Sequence, residues 1–411
     1  MRAPTPVPIA ARLSLMLGCA AVTAGAAACP LAFVTTAGGG AGDDGVRVID
    51  ISRMALVATI GGVGDEPSRM VANADAKRLW VSSYLPASVG IERRGMVYAI
   101  DALQRRVVGS VAVGNRQNRA IALSPDASRI YTFRQEGSAP NATIALAVID
   151  AQTLAPLADA PLPVTECLQS VADIKVHPDG RIFVSGCSDT IRAFDPVTLQ
   201  ASPVAPHPVT GGRMLGFSPN GAELYLPVGA ATGSGTGTGM VAIELATGAS
   251  NSVAWAGGSA TFPTGSQAIR MLLVQRPEDA PGDPTVFFGY MSAFGNSPVA
   301  FARASELSPP MGPPLRQLRG RTNVGPSSVL GASSDGRIGL GVRLGGMRQL
   351  GFVSSDPAVV IVGNGAVLAL PGVGALSDIV IDDGLFCDGF EQAESAAAGT
   401  SASLDLDTHE S

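Results

Sequence analysis

The feature that most constrains the fold is a short strand–turn–strand unit that recurs along the chain. In the clearest copy, residues 173–186, Ile174 and Val176 alternate with polar residues and a Pro-Asp-Gly turn precedes a second apolar run. Pro presets φ at the first corner of such a turn, and Gly accepts the positive φ that closes it. Each copy therefore predicts a β-hairpin.

Further copies span residues 120–131 and 214–225, and weaker ones span 71–81 and 329–339. Turns of this kind fall near Asp75, Asp126, Asp179, Asn220, Glu278, Asp335 and Asp382. Their mean spacing of about 51 residues exceeds the roughly 40–45 of a minimal four-stranded blade. The surplus lies in loops at residues 86–94, 135–142 and 229–239.

Each cycle also contains a third apolar segment, which ends with an acidic residue. Asp50, Asp101 and Asp150 each follow an Ile at the end of such a segment, and Asp195 follows a Phe. A short carboxylate side chain is well suited to start the next turn. With a fourth strand after that turn, every cycle predicts a four-stranded antiparallel sheet.

Four-stranded units repeated in this way predict an all-β fold, a seven-bladed β-propeller, whose radial repetition leaves few open sheet edges. The chain enters at a second strand, Leu31–Thr35, and leaves with an inner strand, Leu376–Asp382. We therefore expect N-terminal strands to pair with the C-terminal inner strand and to close the ring.

Composition excludes two broad classes. Of the 411 residues, 46% are hydrophobic and 15% are charged, which is not the composition of a disordered chain. The net charge is −6, so no basic footprint for a nucleic acid is present.

The N-terminus predicts export. Arg2 and Arg12 precede an apolar run from Leu13 to Ala28, which is typical of a signal peptide cleaved after Ala26 or Ala28. We expect residues 1–28 to be removed and the protein to be periplasmic or extracellular, with no transmembrane segment. A less favoured alternative is a lipid anchor on Cys19 or Cys29.

The expected domains follow from these boundaries. Residues 29–391 form the propeller with its C-terminal closure segment, and residues 392–411 form a disordered acidic tail. Between them, Leu385–Glu391 resembles a short Phe-x-Asp-Gly-Phe-Glu ending of some exported Gram-negative proteins, to which we assign no role.

The repeat resembles a known family. Ile130-Tyr-Thr, Leu79-Trp-Val-Ser and Leu224-Tyr-Leu, together with Ser-Pro-Asp126, resemble the YVTN-type bacterial propeller repeat. That repeat is similar to the strands of WD-repeat proteins and of quinoprotein amine dehydrogenase β-chains. The resemblance covers nearly all of residues 31–382, with departures in blades five and six, and implies the architecture. Propellers nevertheless host many activities.

Motifs for catalysis or for metal binding are weak. The histidines, His177, His207 and His409, lack metal-ligand spacing, and no Gly-x-Ser-x-Gly elbow follows a strand. The Gly-rich segment 229–239 lacks the Lys and the helix of a phosphate loop. Asp43 and Asp44 fit a plain turn better than a calcium site. The sequence therefore assigns no catalytic residue, metal or cofactor.

Arginines supply the one candidate binding site. Arg69, Arg119, Arg213 and Arg270 lie at or near the entry to an inner strand. Inner-strand entries converge on one face of a propeller, where several guanidinium groups favour a carboxylate or phosphate ligand. The alternative is that each arginine pairs with a neighbouring acid.

The leading functional hypothesis is a monomeric, non-enzymatic scaffold that binds a protein partner or a small anionic ligand through its loop-bearing face. One alternative is a propeller enzyme of the lactonase or quinoprotein-associated type, which needs perturbed acids or a metal in the channel. Another is a cell-envelope adhesion module.

Export makes two disulfides a testable prediction. We expect a Cys167–Cys187 bridge, whose loop of about 20 residues stabilises by roughly 3 kcal/mol, and a Cys29–Cys387 bridge worth roughly 4–5 kcal/mol. Peptide mapping without reductant should recover both linked pairs. Labelling of either pair by iodoacetamide before reduction would instead show free thiols, the alternative for Cys167 and Cys187.

Overall fold

The computed structural model describes the strands and most of their turns. The described residues are 31–37, 44–51, 53–85, 94–115, 120–137, 142–163, 173–187, 190–204, 214–228, 239–254, 267–274, 279–291, 299–307, 316–317, 329–332, 338–343, 357–362, 367–369 and 375–382. Within them the chain forms four-stranded antiparallel sheets.

The first three strands belong to one sheet. They are β1 (Leu31–Ala37), β2 (Gly45–Asp50) and β3 (Ala55–Ile60). Residue by residue, β1 pairs with β2 and β2 pairs with β3.

Six blades follow, each built from four consecutive strands. The first three comprise β4 (Asp65–Ala72), β5 (Arg78–Leu85), β6 (Arg94–Asp101) and β7 (Arg106–Ala112); β8 (Ile121–Leu123), β9 (Arg129–Glu136), β10 (Thr143–Asp150) and β11 (Pro156–Leu162); and β12 (Asp173–Val176), β13 (Ile182–Cys187), β14 (Thr190–Phe194) and β15 (Ala201–Pro203).

The other three blades lie in the second half of the chain. They comprise β16 (Gly216–Phe217), β17 (Glu223–Val228), β18 (Gly239–Glu244) and β19 (Ser250–Ala254); β20 (Gln267–Val274), β21 (Thr285–Met291), β22 (Val299–Arg303) and β23 (Arg316–Gln317); and β24 (Val329–Ala332), β25 (Ile338–Arg343), β26 (Pro357–Val362) and β27 (Val367–Ala369). A helical turn, α1 (Ala304–Leu307), follows β22.

The last strand, β28 (Ala375–Asp382), joins the first sheet. It pairs with β1 from Leu31↔Asp382 to Ala37↔Ala375, with a register shift after Thr35, and gives the composite order β28-β1-β2-β3. The expected pairing of an N-terminal strand with the C-terminal inner strand is therefore present.

The expected count of seven blades requires a correction. Six blades are built from consecutive strands, and the remaining four-stranded sheet is a composite of strands from the two ends of the described chain. One blade was expected for each turn, but among the described residues no strand follows the turn motif near Asp382. A turn marks an inner strand, not a complete blade.

Neighbouring sheets pack face to face through apolar side chains. Side chains of strand β5 pack against both neighbouring sheets. Leu79 and Val81 pack towards the composite sheet, and Trp80 packs towards the β8–β11 blade. This alternation follows from the two-residue period of a strand. The described hydrophobic core thus lies between blades, and the β4–β7 blade is covered on both faces.

The inner-strand turns have the geometry that the repeat predicts. The amides of Ala127, Gly180 and Gly221 donate to the carbonyl three residues earlier, at 2.9, 2.8 and 2.9 Å. Gly180 and Gly221 have φ of 94° and 71°, and Ala127 takes the same left-handed region at 56°. Alanine therefore takes this position at two turns, since Ala76 has φ of 46°, despite the steric cost of its Cβ.

Acids at the ends of four third strands, Asp50, Asp101, Asp150 and Asp195, cap the following turns, as the sequence predicts. The carboxylate of Asp150 accepts from the Thr153 amide at 2.7 Å, and that of Asp195 accepts from the Thr198 amide at 2.7 Å. These hydrogen bonds, with the threonine hydroxyls, lower the pKa of both acids.

Side chains also link neighbouring blades at the turn face. The Trp80 indole Nε1 donates to the Ala151 carbonyl at 3.1 Å, and Arg129 Nη1 donates to the Pro196 carbonyl at 2.9 Å. Each contact joins a second strand to the outer turn of the following blade, and so fixes the rotation between them.

Several expectations fall outside the described residues. The signal peptide, residues 1–28, the segment Leu385–Glu391 and the tail, residues 392–411, are among them, as are Cys29, Cys167 and Cys387. Cys187 is described through its backbone in β13. Both disulfides remain predictions. In the part of the chain that is described, no helix has the length and hydropathy to cross a membrane.

Glycine is required at a close approach between β3 and β4. Gly64 has φ +74°, and a Cβ there would lie 1.8 Å from the Tyr84 carbonyl oxygen, whereas Gly62 has φ +77° and open space around it. We expect Gly64→Ala to lower the free energy of unfolding by about 1–3 kcal/mol more than Gly62→Ala, because only the first adds a clash to the backbone strain. Urea unfolding of both variants measures the difference; equal losses would contradict it.

The Asp126 turn predicts an acid-dependent stability. Hydrogen bonds from the Ser124 hydroxyl and from the amide and hydroxyl of Ser128 lower the pKa of Asp126 to about 2. Because the folded pKa is below the ordinary value of 3.8, its stabilisation is present above that pH and is lost as pH falls towards 2.

Asn220 provides the matched control for this turn. It accepts, without charge, from the Ser218 hydroxyl at 2.7 Å and from the Ala222 amide at 3.0 Å, and lacks only a counterpart of the Ser128 hydroxyl. We expect the stability gap between wild type and Asp126→Asn to narrow from pH 5 to pH 2 in urea unfolding, and Asn220→Asp to acquire the same dependence. A pH-independent gap would refute the assignment.

Candidate functional site

The entries of the inner strands bring one equivalent residue from each strand to the central channel. We aligned the inner strands by their turns and by the buried residue that directly follows each of these positions. The aligned positions form what we call the channel ring. Its members are Arg69, Ala120, Asp173, Met214, Arg270, Val329 and Asp378.

Two of the four predicted arginines occupy the channel ring. Arg69 pairs with Ser82, and Arg270, described through its backbone, pairs with Gly289. Arg119 and Arg213 lie outside the described residues and precede the ring members Ala120 and Met214 by one position in the sequence. The four arginines are therefore not equivalent, and the side-chain geometry concerns Arg69.

The Arg69 side chain reaches across the channel. Its Nη1 lies 3.5 Å from Asp173 Oδ1, and its Nη2 lies 3.1 Å from Met214 Sδ. Neither residue belongs to the adjacent β8–β11 blade, whose ring member is the small Ala120. The guanidinium passes this short side chain and meets residues two and three blades away, with 16% of the side chain exposed.

Two buried carboxylates join successive inner strands. Asp173 Oδ2 accepts from the Leu215 amide at 3.1 Å, and Asp378 Oδ2 accepts from the Met70 amide at 2.8 Å. Asp173 and Asp378 are 2% and 6% exposed. Each acid therefore satisfies a backbone donor of the next inner strand, which buried donors require.

Hydroxyl side chains of the second strands support the charged ring members. Ser82 Oγ lies 3.2 Å from the Arg69 amide and 3.3 Å from its carbonyl oxygen, at a register shift of the β4–β5 ladder. Thr35 Oγ1 donates to the Asp378 carbonyl at 3.4 Å. The hydroxyl of the second strand thus replaces a missing ladder contact.

Sequence reasoning missed Asp173 and Asp378. The signal was present: each acid lies four residues before its turn, and a Ser or Thr lies opposite it on the second strand. The sequence also allowed that each arginine pairs with a neighbouring acid, and Arg69 does contact an acid. Its acid, however, lies across the channel and is not a neighbour in sequence.

His177 has a structural environment in its turn. Its Nε2 lies 2.7 Å from the Gly221 carbonyl oxygen, and its Nδ1 lies 2.7 Å from Asp179 Oδ1. Burial acts to raise the pKa of Asp179, but hydrogen bonds from the Arg181 amide and from His177 outweigh it and lower the pKa. The contact between His177 and the Gly221 carbonyl therefore joins the turns of two neighbouring blades.

The described residues contain no cluster of three or more His, Cys, Asp or Glu side chains suited to a metal ion. Asp44 Oδ2 accepts from the Glu66 amide, 22 positions later in the chain, at 2.9 Å, and Asp43 lies outside the described part.

A groove of about 330 Å³ lies between the β12–β15 and β16–β19 blades, away from the inner strands. Ala193, Ile243 and Leu245 supply apolar contacts, and Arg181, Ser202 and Glu244 supply polar ones. The Glu244 carboxylate is engaged by the Thr247 hydroxyl at 2.5 Å, so the rim of this groove is partly occupied by its own hydrogen bonds.

Comparison with known proteins shows the fold. No family model and no curated protein matches the chain. A candidate 6-phosphogluconolactonase from Bacteroides uniformis is similar in structure, with a TM-score of 0.57, 14% identity, and coverage of 86% of this chain and 99% of that one.

Two further solved structures are similar. One is dihydro-heme d1 dehydrogenase NirN in complex with DHE, with a TM-score of 0.53, 14% identity, and coverage of 86% and 75%. The other is the β-propeller domain of Cps50 (Swd1) from Myceliophteria thermophila, with a TM-score of 0.52, 11% identity, and coverage of 76% and 89%. At these identities the likeness establishes the β-propeller architecture and leaves activity open.

A double-mutant cycle tests the contact across the channel. We expect Arg69→Met and Asp173→Ala to be coupled by at least about 1 kcal/mol in unfolding free energy, because each single change leaves a largely buried charge without its partner. The matched control is the more exposed Arg134–Asp159 pair, at 2.7 Å, for which we expect less than about 1 kcal/mol. Additive effects of Arg69 and Asp173 would contradict the contact.

Proposed function

We propose that the chain is an exported, non-enzymatic β-propeller scaffold that binds a protein partner or a small anionic ligand through its loop-bearing face. The observation that carries this proposal is the state of the channel ring. Arg69 contacts Asp173, and the carboxylates of Asp173 and Asp378 are held by backbone amides of the next inner strand. These groups hold the blades together.

The pattern of acid pKa values agrees with a scaffold. A catalytic acid or base is usually shifted by burial and by charged neighbours inside a cleft. In this structure the lowered pKa values of Asp126, Asp150 and Asp195 arise from hydrogen bonds within exposed turns. Their cause is local turn formation, which supports a structural role.

The loop-bearing face is the one at which the inner strands enter. The second and third strands of the β4–β7 blade end there at Leu85 and Arg94, beside the longer connections identified in the sequence. The opposite face carries the short turns capped by Asp150 and Asp195. Longer segments on a rigid scaffold are the usual place for recognition.

A binding experiment with two variants tests the face. In one variant residues 230–238 are replaced by Gly-Ser-Gly, and in the other, the control, the 81% exposed Val197 of the turn face becomes Asp. We expect partners identified by mass spectrometry from an envelope extract to be lost with the loop variant and retained with Val197→Asp. Loss with both variants or with neither would contradict the assignment.

Lactone hydrolysis and cell fractionation test the alternatives. We expect 6-phosphogluconolactone to hydrolyse no faster with the protein than without it. A protein-dependent rate that falls in Arg69→Gln would replace the scaffold by an enzyme. Fractionation of the native host should place the mature chain in the periplasm or medium, whereas firm retention on the envelope would favour an adhesion module.

A further inference from the structure

The guanidinium of Arg69 has more donors than it uses. An arginine presents five N–H donors in a planar fork. Here one nitrogen makes a 3.5 Å contact with a carboxylate, and another faces a thioether, which is a weak acceptor. Against charge-assisted bonds of about 2.7–2.9 Å, the Asp173 contact is long. Among the described residues the fork is thus largely buried and under-bonded.

Asp173 is the natural second contact for a ligand at this fork. Its Oδ2 is engaged by the Leu215 amide, so Oδ1, the atom facing Arg69, keeps acceptor capacity. A ligand group that donates a hydrogen bond could occupy that oxygen. The same ligand would need an anionic group to match Arg69.

Charge restricts the ligand further, because the carboxylate of Asp173 lies beside the guanidinium of Arg69. A dianion such as phosphate would meet repulsion from Asp173 and Asp378, whereas a single carboxylate fits the arginine fork.

We propose that the channel ring binds a small carboxylate that carries a hydroxyl or ammonium group on the adjacent carbon. The carboxylate takes the fork of Arg69, and the neighbouring donor takes Asp173 Oδ1, replacing the long contact between the two side chains. This inference rests on the proposed function, in which the scaffold binds a protein partner or a small anionic ligand, and it names the chemical class of the small ligand.

Three acids with the same carbon skeleton provide the test. Lactate, alanine and propionate differ in the group on carbon 2, which is a hydroxyl, an ammonium or a hydrogen. We expect lactate, alanine or both to raise the Tm of the full mature chain by about 3–5 °C at roughly 100 times Kd. Propionate and inorganic phosphate should give smaller shifts at the same concentration. Titration calorimetry gives each Kd.

Variants separate the two contacts. Arg69→Gln should abolish the shift, and Arg69→Lys, which keeps the charge but loses the fork, should weaken binding at least about tenfold. Asp173→Asn should reduce the preference for lactate or alanine over propionate. Arg134→Gln, on the second strand β9 and paired with Asp159, is the matched control and should bind as wild type does. Circular dichroism checks that each variant is folded.

Each outcome is decisive. A shift with lactate alone identifies the hydroxyl form of the ligand, and a shift with alanine alone identifies the ammonium form. No shift with either, an equal shift in Arg69→Gln, or tighter binding of phosphate or propionate would overturn the proposal. Partner binding at the loop face is measured separately, so its loss or survival shows whether the proposed function fails as well.

Discussion

Burial of apolar side chains between neighbouring sheets is the constraint on which the rest of the described structure depends. Leu79 and Val81 cover one neighbour and Trp80 covers the other, so a blade that lacked a neighbour would expose an apolar face to water. A closed ring is the arrangement that leaves no such face. The pairing of β1 with β28 provides the closure, and Asp378 extends it by accepting from the Met70 amide of the next blade.

Local chemistry explains which parts of this fold could be predicted from the sequence. Turns such as that at Asp126 are formed by residues within five positions of one another, so their residue types indicate the structure directly. The third-strand caps at Asp150 and Asp195 were predictable for the same reason. The blade count was not, because a turn motif near Asp382 does not indicate which strands complete its sheet.

The channel ring shows the limit of such reasoning. Arg69 was a candidate because arginine is conspicuous, but its reach to Asp173 depends on the width of the channel and on the size of Ala120. A local sequence motif indicates neither the width of the channel nor which small residue lies between the two side chains. Asp173 and Asp378 were overlooked because their partners, the amides of Leu215 and Met70, belong to the next blade. Arg119 and Arg213 drew attention although they precede the ring members by one residue.

The composite sheet has a consequence for the order of synthesis. Thr35 and the carbonyl of Asp378 meet in that sheet although 343 positions separate them in the chain. At about 5–20 residues per second, translation leaves β1 without its inner partner for roughly 20–70 s. Throughout that interval the nascent chain carries an unpaired strand edge. The first strands to leave the ribosome are therefore the last to be completed, and a chaperone that shields this edge would act on them before any later blade.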